Sequence, residues 1–168
     1  MRSLIAAIAC LVVLGVVNYS IAAKERLLAH GRTVYLELAP VDPRSLMQGD
    51  YMALRFRIAD DARGALARMK PPVQNRLPPH DGRIVATLDG ASVASFQRID
   101  DGNPLAPNEI VLQYRVRNGE IKFATNAYFF EEGTAQRYEQ ARYGEFRLGA
   151  DGELLLTGMR LKDLAPAR

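Results

Sequence analysis

Two carboxylates, a guanidinium and a phenol crowd one short stretch of this chain: Asp42, Arg44, Asp50 and Tyr51, in Pro40-Val41-Asp42-Pro43-Arg44-Ser45-Leu46-Met47-Gln48-Gly49-Asp50-Tyr51. Groups of this kind can build a binding loop. Pro43 fixes its own φ, and Arg44 can reach back to Asp50 in a charge-assisted hydrogen bond that pins the loop. The same residues also suit a turn: Gly49 tolerates a positive φ and Asp50 can accept a backbone N–H. One reading is structural, then, and the other presents Asp42, Arg44, Asp50 and Tyr51 to a ligand or partner.

Catalytic alternatives are thinner. Ser45 with Lys70 would make a serine/lysine hydrolase dyad, and such a lysine must be desolvated to accept a serine proton. Lys70 instead follows Arg68-Met69 and precedes Pro71-Pro72, the composition of an exposed loop. His30 and His80 lack ligand-spaced partners, so no metal or cofactor is expected. Glu131 and Glu132 are adjacent, and neighbours on a strand point to opposite faces, so a shared proton is not expected. One of them is expected to cap or pair with the helix that follows, through Arg137. The aromatics Tyr128, Phe129, Phe130, Tyr138, Tyr143 and Phe146 are expected to be mainly core.

The elements that must position these residues are mostly strands. Val34, Leu36 and Leu38 alternate with Thr33, Tyr35 and Glu37, and Met52, Leu54, Phe56 and Ile58 alternate with Tyr51, Ala53, Arg55 and Arg57. Period-two alternation predicts half-buried strands over 33–38 and 51–58, with Arg55 and Arg57 on the wet face. Asp60-Asp61 predicts a helix running to Met69, stopped by Lys70-Pro71-Pro72. Asp89-Gly90, Asn118-Gly119 and Asp151-Gly152 each predict a hairpin with a two-residue turn. A short helix is expected between Gly133 and Arg142. The fold class expected is mainly β with an N-terminal transmembrane helix: an antiparallel β sandwich or partly closed barrel with one or two short helices.

From Leu4 to Ala23 twenty residues pass without a charge, between Arg2 and Lys24. At 1.5 Å per residue they reach about 30 Å, the thickness of a bilayer's hydrocarbon core. The expected organisation is a membrane anchor over 1–23 and one β-rich extracytoplasmic domain over 24–168. A cleaved signal is the alternative, since Ser20-Ile21-Ala22 offers small residues at the positions a peptidase reads. The helical pattern continues to Gly31, which favours an uncleaved anchor. Without Arg2, 21 basic residues stand against 19 acidic ones. Arg55, Arg57, Arg63, Arg98, Arg115 and Arg142 are scattered among acids, so no nucleic-acid partner is expected. Cys10 lies in the apolar run, which leaves no cysteine for a disulfide in the rest of the chain.

Gly49-Asp50-Tyr51-Met52-Ala53-Leu54-Arg55-Phe56 resembles the signature of the GDYXXLXY protein family, with Phe56 where that pattern ends in tyrosine. The resemblance extends to Pro40-Val41-Asp42-Pro43-Arg44 and to the apolar segment followed by Lys24-Glu25. It implies a bacterial, membrane-associated protein encoded beside multi-spanning membrane proteins, and it implies no chemistry. The expected function is therefore a membrane-anchored, non-enzymatic β domain of the bacterial inner membrane. Its domain would face the periplasm and assist or assemble with an integral membrane protein.

Overall fold

The computed structural model describes residues 2–39, 47–48, 51–69, 76–125 and 127–167. Helix α1 (Arg2–His30) leads into β1 (Arg32–Glu37), followed by β2 (Met47–Gln48), β3 (Tyr51–Ala53) and α2 (Arg57–Met69). Then come β4 (His80–Leu88), β5 (Val93–Ile99), β6 (Glu109–Arg117), β7 (Glu120–Lys122) and β8 (Ala127–Phe129). A single helical turn, α3 (Ala135–Tyr138), precedes β9 (Tyr143–Leu148) and β10 (Leu154–Arg160).

Seven strands form one curled sheet in the order β10-β9-β1-β5-β4-β6-β7, and β2-β3-β8 form a second, small sheet. The large sheet is a half-barrel, which agrees with the partly closed barrel expected from the hairpins. Its pairings are antiparallel except for β1 with β5, which run parallel, Tyr35 beside Val93. Curling brings the β9–β10 turn against β6: the Gln113 N–H donates to the Gly152 carbonyl at 2.8 Å, and the Gln113 side-chain amide donates to the Asp151 carbonyl at 3.1 Å. From that clasp β6 and β10 run on without pairing with each other, leaving a seam.

Inside the curl, Val34, Leu36, Ile84, Leu112, Val116, Phe123 and Phe146 are fully buried. Helix α2 packs against β5, β7 and β1 through Ile58, Ala62 and Leu66, spaced four apart on one helical face. The strand expected over 51–58 is shorter than the pattern implied. Pairing ends at Ala53, Phe56 makes an isolated bridge to Leu38, and the helix begins at Arg57, ahead of the expected Asp60. Met52, Leu54, Phe56 and Ile58 are nevertheless all buried, because Ile58 passes from the strand-like face to the first turn of the buried helical stripe.

Of the three hairpins, only Asn118-Gly119 makes the expected two-residue turn, with φ of 56° and 80° and Arg117 facing Glu120. In the other two, the N–H of residue 89 or 149 bonds the carbonyl four residues on, and the positive φ falls on Ser92 (64°) and Gly152 (90°). These are three-residue loops with a left-handed third residue. The carboxylate of Asp89 accepts the Ala91 and Val93 N–H groups at 2.8 and 2.9 Å, which draws the turn one step onward.

Candidate functional site

The junction between α1 and the sheet has no linker. Gly31 is the only residue between His30 and Arg32, and its N–H still donates to the Leu27 carbonyl at 2.8 Å as the last helical bond. Its geometry admits nothing larger than glycine: a Cβ would stand 2.5 Å from the Leu27 oxygen and 3.0 Å from Arg147 Cβ. Arg147 of β9 staples the joint, donating to the Gly31 carbonyl at 3.3 Å and to Thr33 Oγ1 at 2.6 Å. Lys24 on α1 pairs with Glu153 at the start of β10. Residues Leu4–His30 form a helix long and apolar enough to cross a membrane, with its apolar run exposed.

Beside this junction the seam forms a groove of about 510 Å³. Gln113 and Arg115 of β6 and Lys122 of β7 line one wall, and Glu153 to Leu156 line the other. Tyr128 and Phe129 of β8 contribute aromatic surface, and Lys24 of α1 closes one side. Phe129 is 74 % exposed, so the expectation that these aromatics are core holds for Phe146 and fails for Phe129. The reason is the shortness of the small sheet, in which no strand among the described residues lies beyond β8. Tyr128 and Phe130 instead pack on Tyr138, with ring centroids 5.2 and 5.1 Å away. Burial first, and the hydrogen bond to Tyr138 second, push the Tyr128 phenol above its ordinary range.

Of the residues expected to form a binding loop, Tyr51 is described. It pairs across the small sheet with Phe129, rings 5.8 Å apart, and so stands next to the seam groove. Asp42, Arg44 and Asp50 lie outside the described residues, as do Ser45 and Lys70 of the dyad. The rest of the motif serves packing. Met52, Leu54 and Phe56 are buried, Phe56 edges against Phe146 at 5.4 Å, and exposed Arg55 reaches Asp60 at 3.3 Å.

His30 ends α1. His80 packs on Tyr114, its Nδ1 donating to the Pro78 carbonyl at 2.9 Å and its Nε2 lying 3.1 Å from the Tyr114 hydroxyl. Among the described residues no group of three or more His, Cys, Asp or Glu is placed to hold a metal. Nor does an ion pair among them join Glu131 or Glu132 to Arg137. Thr134 precedes α3 and donates its hydroxyl to the Glu131 carbonyl at 2.6 Å.

Sequence reasoning missed the groove cations Lys24, Arg115 and Lys122 as a group. The Asn118-Gly119 turn held the signal, because a two-residue loop pairing 117 with 120 also pairs 115 with 122. No curated protein and no solved structure matches the chain. The family model for the GDYXXLXY protein matches residues 13–159, from within the apolar helix almost to the end of β10, and the chain belongs to that family.

Proposed function

We propose that the chain is a membrane-anchored, non-enzymatic assembly module. In this reading α1 is an uncleaved anchor in the bacterial inner membrane, residues 24–168 form one periplasmic domain, and the partner is a multi-spanning membrane protein. The observation that carries it is the linkerless joint at Gly31, held by Arg147 and by the Lys24–Glu153 pair. A tether that only retained a domain near lipid would need no such joint. A stiff one fixes which face of the sheet meets a neighbour in the same membrane.

Asp42, Arg44, Asp50 and Tyr51 are the proposed recognition residues of this module. Tyr51 supports the assignment by its place against Phe129 at the groove. Ala6, Ala9 and Gly15 offer small positions on α1 where a partner helix can approach closely.

The test is co-purification from mild detergent. A multi-spanning protein should accompany the wild-type chain and be lost when Ala6, Ala9 and Gly15 are replaced by leucine. Its absence from the wild-type preparation would refute the assembly reading. Asp50→Ala should release the partner with an unchanged melting temperature; a large drop in melting would make that residue part of the turn alone. A reporter fused after Arg168 assigns the side of the membrane.

A further inference from the structure

Arg115 of β6 stands directly opposite Lys122 of β7. Residues so paired project from the same face, and like charges there repel and weaken the hairpin that carries them. The adjacent rung on the same face follows the opposite rule, with Arg117 facing Glu120 and forming an ion pair with Asp81 at 2.7 Å. Asp81 of β4, which is paired with Arg115 on its other side but bonded to Arg117, and Glu120 beside Lys122 relieve the 115/122 rung only in part. Arg115 donates to the Ala124 carbonyl at 3.0 Å and makes no ion pair among the described residues. Lys122, its side chain 23 % exposed, lies 3.6 Å from the more open carboxylate of Glu120.

Both cations line the seam groove together with Lys24, so three positive side chains face one acid, Glu153. The remaining argument rests on the anchoring reading given above. Lys24 is the first residue after the uncharged run Leu4–Ala23, and a helical run of that length spans about 30 Å of hydrocarbon, which sets Lys24 at headgroup depth. The groove therefore opens among lipid phosphates. Its far lining is apolar, with Leu155, Leu156, Tyr128 and the exposed ring of Phe129.

We propose that the seam groove seats the phosphate of an anionic phospholipid from the leaflet beside Lys24, held between Arg115 and Lys122. A guanidinium offers a fork of donors matched to phosphate, and an ammonium adds a compact charge. The bound anion relieves the repulsion across the rung. The lipid's glycerol and upper acyl carbons lie along Leu155, Tyr128 and Phe129.

The full chain, purified in a neutral detergent, is titrated with phosphatidylglycerol or with phosphatidylcholine of the same acyl chains and followed by native mass spectrometry. Phosphatidylglycerol should be retained on the order of tenfold better, the scale of one charge-assisted contact. Arg115→Gln with Lys122→Gln should abolish the preference. Lys122→Glu separates binding from folding, because it gains an opposite-charge pair with Arg115 and loses the contact with Glu120: the preference should disappear while the melting temperature changes little. Equal retention of the two lipids by the wild type would overturn the proposal, as would a preference that survives in the double variant. Inorganic phosphate that raises the melting temperature as much as the lipid would make this a free-phosphate site and overturn the lipid assignment. Alkaline carbonate extraction keeps the two readings apart. Release of the wild-type chain from membranes refutes the anchor, whereas a retained chain without lipid preference refutes only the site.

Discussion

Replacing Gly31 by alanine attacks the joint on which the proposed function depends. The new Cβ would sit 2.5 Å from the Leu27 carbonyl oxygen, with Arg147 Cβ and Leu27 Cδ1 each at 3.0 Å. Real Cβ atoms essentially never approach closer than 3.0 Å, so either the last turn of α1 or the start of β1 must move by at least about half an ångström. Leu27 Cδ1 can rotate away, but Arg147 Cβ is fixed by its own backbone, and the oxygen is backbone and belongs to the last helical hydrogen bond. Overpacking of this kind costs about 1–3 kcal/mol. For a chain of this size each kcal/mol lowers Tm by about 2–4 °C, so the expected drop is on the order of 2–12 °C. Melting in detergent by circular dichroism measures it. Geometry is read by spin labels at Arg26→Cys and Lys162→Cys in a Cys10→Ser background. The wild-type joint should give one narrow distance distribution, broadened or shifted by Gly31→Ala. A Tm unchanged within error, with an unaltered distribution, would show that the joint does not depend on the tight packing at Gly31 and would refute the reasoning; a broad distribution in the wild type would show that it is not stiff.

Three further outcomes are expected. Ser92→Gly should raise stability by about 0.5–1 kcal/mol in chemical denaturation, since Ser92 holds a φ of 64° that an L side chain adopts at a cost. Gly82→Ala should lower it by about 1–3 kcal/mol, because the added methyl meets the Tyr114 hydroxyl oxygen at 2.6 Å and Cζ at 2.7 Å, and the ring is buried against Phe123 and His80. Burial holds the Tyr114 phenol above its ordinary value of 10.0, and the Tyr128 phenol is raised likewise. The folded state therefore keeps these protons after the unfolded chain has released them. Their contribution to stability is complete below about pH 10 and declines as pH rises through the folded values. Urea midpoints measured between pH 8 and 11 should fall at the alkaline end, and less so in Tyr128→Phe.

How much of this was legible in the sequence depends on whether the deciding contact was local. Asn118-Gly119 was readable because both residues accept positive φ at little cost and nothing nearby competed. Asp89-Gly90 was not, because the Asp89 carboxylate captured two N–H groups further on and moved the left-handed position to Ser92. The alternation in Met52, Leu54, Phe56 and Ile58 identified a buried face correctly, yet period two continued past the point where the chain turned helical. Pattern records which side of the chain is dry, and α2 uses Ile58 as its first buried position. The parallel pairing of β1 with β5 left no local trace, since the two strands are far apart in sequence and no turn joins them.

The motif and the groove divide differently. Met52, Leu54 and Phe56 are explained by packing, which leaves the polar residues of that segment for the proposed recognition role, and of these Tyr51 touches Phe129 in the wall of the seam. The seam itself arises from a mismatch in strand length. At the edge of the curl β7 has three residues, whereas β6 has nine and β10 seven, and the curl closes at Gly152 and not beyond it. Lengthening β7 would pair the edge of β6 and fill the gap with a strand, and with it would vanish the one face where Arg115, Lys122 and Lys24 meet beside α1. The short strands leave backbone groups of β6 unpaired, and the like-charged rung is offset only in part by Asp81 and Glu120. That both defects fall at the same place, next to the helix that enters the sheet without a linker, is why the seam, and not the better packed end of the half-barrel around Phe146, carries the argument for binding.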